Sequence, residues 1–123
     1  MRGAYTPAKA GVLGLTYLTA VEWGGRGIRC NAISPGMIST PAHAATYSDE
    51  NLKKAREAMV PTGRIGNGKD IADAVIFLAS DGAGYINGAN LPVDGGITKS
   101  ILALMPVPAS DGGFETMLGR LRP

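Results

Sequence analysis

A chain of 123 residues has room for one domain, and 45% hydrophobic against 18% charged residues describes a folded globule, not a disordered segment. A formal charge of +2, with the signs interspersed, offers no basic stripe and argues against nucleic acid as a partner. The uncharged stretch at residues 10–21 is broken by Gly11, Gly14 and two threonines and is too short to span a membrane.

Behind Met1 no signal-peptide pattern is read. Cys30 is the single cysteine. It allows no internal disulfide, so a reducing, cytoplasmic setting is expected.

Residues 5–23 place Ala8, Gly11, Val12, Leu15, Leu18, Thr19 and Glu22 at three- and four-residue steps, the spacing of a helix. Pro7 is tolerated only in a first turn, which starts the helix near Tyr5 or Thr6; Gly24-Gly25 ends it. Residues 28–33 read as a short strand bounded by Ser34-Pro35-Gly36. Residues 37–47, broken by Pro41, read as a loop. Ser48 is the expected cap of a short helix over residues 51–59, with Asp49 and Glu50 bringing negative charge to its first turn. After a turn-rich link at residues 61–66, residues 69–80 predict a second long helix, with Ile71, Ala72, Val75, Ile76, Leu78 and Ala79 forming a broad apolar face. Residues 90–94 predict a last strand, closed by Gly95-Gly96. No structure is assigned to residues 97–123, which hold one apolar knot at residues 101–105.

Short links between alternating helices and strands imply the α/β class with a parallel sheet. An open sheet of that kind begins with a strand and needs more than two. N-terminal strands are therefore expected to be missing.

Tyr5 and Lys9 stand four residues apart at a helix start, where positions i and i+4 share a face. A phenol ordinarily titrates near pH ~10. A unit positive charge about 4 Å away, at an effective dielectric of ~20, favours its ionised form by at most about 4 kcal/mol. Such a pair suits general acid/base work near neutrality. An ordinary lysine on a surface helix explains the same spacing.

Other residues read as structural. His43, the only histidine, has no partner at metal-ligand spacing, and no metal site is expected. Cys30 reads as a buried apolar residue in mid-strand, and Trp23 as core or subunit contact. Asn31 and Asp94 are expected to satisfy backbone groups at strand ends, and Arg64 to anchor a turn. Pro35-Gly36 alone is a turn.

In order along the chain stand Tyr5-x-x-x-Lys9 with Ala10-Gly11-Val12 and Leu15-Thr16, then Gly27-Ile28-Arg29-Cys30-Asn31-Ala32-Ile33-Ser34-Pro35-Gly36-Met37-Ile38-Ser39-Thr40. Next come Pro61-x-Gly63-Arg64-Ile65-Gly66 with Asp70-Ile71-Ala72, and Ala79-Ser80-Asp81 with Tyr85-Ile86-Asn87-Gly88. Val93-Asp94-Gly95-Gly96 closes the series. This succession resembles the C-terminal portion of the short-chain dehydrogenase/reductase family, from the active-site tyrosine onward.

The resemblance implies the C-terminal part of a Rossmann-like doubly wound parallel sheet over residues 1–96, with residues 97–123 as a tail contacting another subunit. It implies NAD or NADP as cofactor and a small alcohol or ketone as substrate. Tyr5 would exchange a proton with the substrate oxygen, and Lys9 would hold the nicotinamide ribose and favour the tyrosinate. Pro35 and Gly36 would line the nicotinamide pocket, Ile38 would hold the carboxamide through its backbone, and Thr40 would contact the carboxamide or a phosphate. Met37 and His43, in the substrate loop, are candidate substrate contacts. Ala8, Gly11 and Gly14 would allow close approach of the long helix to its counterpart in a homo-oligomer.

The family's glycine-rich phosphate loop, catalytic serine and supporting asparagine have no counterpart in these 123 residues. The alternative expectation is thus a truncated chain, inactive alone and acting through another half or subunit.

Overall fold

The computed structural model describes residues 3–100, without the side chains of residues 43–45. The elements run α1 (Tyr5–Gly24), β1 (Ala32–Pro35), β2 (Ile38–Ser39), α2 (Ala44–Tyr47), α3 (Glu50–Glu57), β3 (Gly66–Asn67), α4 (Gly68–Ala79) and β4 (Asn90–Val93). Single 3-10 turns occupy Pro41–His43, Asp81–Ala83 and Ile97–Lys99. The tail from residue 101, with its apolar knot and its expected subunit contact, lies outside the described residues.

Two parallel pairings organise the chain. β1 pairs with β4 from Ala32 opposite Asn90 to Pro35 opposite Val93. β2 pairs with β3, Ile38 opposite Gly66 and Ser39 opposite Asn67. The expected α/β class with a partial parallel sheet is what the chain adopts.

The strand expected over residues 28–33 begins later, at Ala32. Side-chain amides take the ladder's place before it. The Cys30 N–H donates to Asn87 Oδ1 at 2.8 Å, and Asn31 Nδ2 donates to the Ile86 carbonyl at 2.9 Å. The Ala89 N–H returns a bond to Asn31 Oδ1 at 2.9 Å, and regular pairing starts only where Ala32 N–H meets the Ala89 carbonyl at 2.8 Å. Asn31 thus satisfies backbone at the strand's entry, as expected. Cys30 precedes the strand and is half-buried, where a buried mid-strand position was expected.

The expected loop at residues 37–47 instead carries β2, a 3-10 turn and α2. The cap of α3 is Asp49, one residue past Ser48. Its Oδ1 accepts from the N–H groups of Asn51 (2.9 Å) and Leu52 (3.1 Å), so the carboxylate meets the positive end of the helix directly. α4 is closed at its start by a capping box of Asn67 and Asp70.

On α4 the covered stripe is Ile71, Ala74 and Leu78, turned to β1 and β4. On α1 it is Leu13, Thr16 and Ala20, tied to the β4 side where Asn87 Nδ2 donates to the Ala20 carbonyl at 2.9 Å. Val12, Leu15 and Leu18, the periodic series in the sequence, stay exposed at 52%, 62% and 53%. α1 is apolar around most of its circumference, so spacing alone did not say which face packs. No helix among the described residues is long and apolar enough to cross a membrane.

Candidate active site

Tyr5 and Lys9 sit in the first two turns of α1, where Pro7 fits because its missing N–H has no helical partner to lose. Lys9 Nζ lies 5.6 Å from the centroid of the Tyr5 ring. Tyr5 is 51% exposed, so water weakens the attraction between phenol and ammonium until something covers them.

The pair opens onto a cleft at the carboxyl end of β1. Pro35, Gly36, Met37, Ile38 and Thr40 line it together with Tyr5 and Lys9. Six residues expected to serve catalysis or cofactor, and Met37 expected to touch substrate, therefore share one cavity. His43 belongs to the turn after β2, but its side chain lies outside the described part of the structure.

The floor of the cleft depends on close backbone approach. A Cβ on Gly36 would stand 2.6 Å from Asp94 Cα, closer than real side chains come. The Gly36 N–H donates to the Val93 carbonyl at 3.0 Å, holding the bend against the end of β4.

Asp94 is itself locked. Thr98 Oγ1 donates to it at 2.6 Å, and the N–H groups of Gly96 and Thr98 donate at 2.8 and 3.1 Å. These bonds, the Thr98 hydroxyl first, keep the Asp94 carboxyl below the usual carboxylate range. Its expected role at the strand end is the one it fills.

β2 is held from behind. The Gly66 N–H donates to the Met37 carbonyl at 3.0 Å, so this bond engages Met37 and not the peptide groups of Ile38. Arg64 braces the turn before Gly66 with a two-armed grip on Asp70, Nη1 to Oδ2 at 2.8 Å and Nη2 to Oδ1 at 2.6 Å. Arg64, followed by the Asn67 N–H, holds the Asp70 carboxyl well below the ordinary range. Arg64 is thus the anchor of a turn, as its sequence context implied.

Thr46, Tyr47 and Arg56 complete the lining. Arg56 was not singled out in the sequence, where a basic residue in the last turn of a short helix reads as solvated. Only the fold of α2 and α3 beside the bend brings it to the cleft.

A family model described as enoyl-(acyl carrier protein) reductase matches residues 1–98. The chain belongs to this family, within the short-chain dehydrogenases/reductases.

L-rhamnose-1-dehydrogenase of Scheffersomyces stipitis is 53% identical over 93 residues, 76% of this chain and 36% of that enzyme. (3R)-3-hydroxyacyl-CoA dehydrogenase of Mus musculus is 47% identical over 76% of this chain and 35% of its own. Among solved structures, 4-hydroxyisoleucine dehydrogenase complexed with NADH superposes with a TM-score of 0.72 at 35% identity, covering 78% of this chain and 40% of that one. The Pseudomonas aeruginosa RhlG/NADP active-site complex gives 0.71 at 32% identity, covering 79% and 39%. The chain spans a little over a third of the length of these short-chain dehydrogenases/reductases. Its parallel β1–β4 pair with α1 and α4 is the corresponding part of their Rossmann-like sheet.

Proposed function

We propose that this chain carries the proton-transfer and nicotinamide-facing part of an NAD(P)-dependent oxidoreductase acting on a secondary alcohol or ketone. The observation that carries the reading is the single cleft shared by Tyr5, Lys9 and the bend from Pro35 to Thr40, at the carboxyl end of a parallel strand where α/β sheets take their ligands. The lining suits a nicotinamide riboside: an ammonium and a hydroxyl to meet ribose and carboxamide, and a glycine where backbone must come close.

A bound nicotinamide supplies the hydride donor or acceptor. Tyr5 Oη gives a proton to the substrate oxygen in reduction and takes it back in oxidation. Lys9 Nζ orients the ribose and stands beside the phenol that exchanges the proton. Gly36 leaves room for a flat ring against the bend, and the backbone of Ile38 with the Thr40 hydroxyl holds the carboxamide. Met37 and His43 belong to the loop that touches substrate. With one cysteine, the chain is suited to a reducing compartment such as the cytoplasm.

A second reading, in which these residues work through association, is favoured by the exposed apolar side chains of α1. We place a second copy of the protein against that helix, next to the small residues Ala8, Gly11 and Gly14.

The test is steady-state oxidation of NADH and NADPH by the full-length protein over a panel of ketones. Tyr5→Phe is expected to lower kcat by roughly 10²–10⁴-fold while leaving cofactor affinity within a few-fold. A Tyr5→Phe enzyme as active as its parent would end the assignment.

A further inference from the structure

One lining group of the cleft has no task in the proton and cofactor chemistry above. Arg56 is half-buried, with its guanidinium 5.5 Å from the centroid of the Tyr47 ring, and both residues line the same cavity as Tyr5 and Lys9. The other ionisable groups along that wall are two phenols and the Lys9 ammonium; no carboxylate lines it among the described residues. Lys53, Arg64 and Lys69 each pair with an acidic neighbour, whereas none of the ion pairs among the described residues includes Arg56. An arginine stays charged and carries a rigid fork of donors matched to a planar anion. A fork resting near an aromatic ring is also restricted in the directions it can point.

We propose that Arg56 is a specificity-determining residue that selects an alcohol or ketone bearing a carboxylate. The inference rests on the oxidoreductase reading of the cleft. If Lys9 is engaged with cofactor, Arg56 leaves one further positive charge on the cavity's lining, which a single carboxylate balances. Tyr47, beside Arg56, adds an aromatic ring to the same lining, suited to the carbon chain between the carboxylate and the reacting carbon. Arg56 also lies in the last turn of α3, where any cation complements the helix end. That role alone would be filled equally well by lysine.

The experiment is calorimetric titration of the full-length protein, with NADH or NADPH present so that the hydroxy acids cannot be oxidised, using lactate, 3-hydroxybutyrate and gluconate, each beside its neutral methyl ester. At least one acid is expected to bind about tenfold or more tightly than its ester, the scale of a charge-assisted two-armed contact. Arg56→Ala should erase that gap while leaving ester binding unchanged, and Arg56→Lys should restore only part of it. The proposal is overturned if no acid outbinds its ester, if the gap survives Arg56→Ala, or if that variant weakens acid and ester alike. Tyr5→Phe separates the two readings. It should lower kcat by roughly 10²–10⁴-fold and keep the acid–ester gap, so a Tyr5→Phe enzyme as active as its parent with the gap intact would sink the proton-transfer role and leave Arg56 standing.

Discussion

Gly36 holds the cleft together by having no side chain. The end of β1 and the start of the Asp94 turn come so close there that an added Cβ would meet Asp94 at 2.6 Å from Cα and 2.8 Å from Cβ. Relief would need backbone movement of both strands, with the Gly36 N–H bond to Val93 lengthened as well. Gly36→Ala is accordingly expected to destabilise the protein by about 1–3 kcal/mol, the usual cost of overpacking. It should also impair catalysis, because the same movement displaces Met37 and Ile38. Thermal denaturation together with kcat measures both effects, and a variant with unchanged stability would show that the bend is looser than described. Tyr5, Lys9 and the Pro35-Gly36 bend were legible in the sequence because each belongs to a short contiguous motif. Arg56 was not, because its place in the cleft depends on a fold that returns a helix some 50 residues along the chain to the start of α1.

Among the elements, the helices announced themselves and the strands did so only partly. Pro7 and the Gly24-Gly25 pair bound α1 as read, and Asn67 and Asp70 pin the start of α4. The two-residue strands β2 and β3 left no alternating pattern to find, since one bridge needs no periodicity. β1 began four residues late because the amides of Asn31 and Asn87 stand in for backbone partners, an exchange that residue spacing does not reveal.

The Arg64–Asp70 grip between the β3 turn and α4 carries a pH signature. Folding lowers the Asp70 pKa, so this group stabilises the fold above its ordinary range near pH ~4, and the contribution drains away as the pH falls below that range. Asp70→Asn should lower Tm by roughly a few degrees at neutral pH. The difference between variant and parent should narrow on acidification. Thermal melts across an acid series check this; a gap that stays constant into strong acid would remove Asp70 as the titrating group.

At the level of the whole molecule, apolar surface outruns the core. The buried apolar side chains among the described residues are Ala20, Val60, Leu78 and Ala83, while Val21 on α1 is 82% exposed and Ile76 on α4 is 67% exposed. Such faces favour association, and covering a Leu or Val side chain fully contributes about 1.5–3 kcal/mol. The 123-residue chain is expected to sediment as an oligomer. Leu18→Glu with Val21→Glu should weaken that association by about tenfold or more, since each buried charge opposes it. Sedimentation velocity over a concentration series reads the outcome, and unaltered assembly would move the contact away from α1.

The most direct test of the redox assignment is a crystal structure of the full-length protein grown with NADPH or NADH. The nicotinamide ring is expected against Pro35 and Gly36, with a ribose hydroxyl within hydrogen-bond reach of Lys9 Nζ and open space for a substrate oxygen beside Tyr5 Oη. A nicotinamide seated at the opposite end of β1, away from Tyr5 and Lys9, would contradict the account.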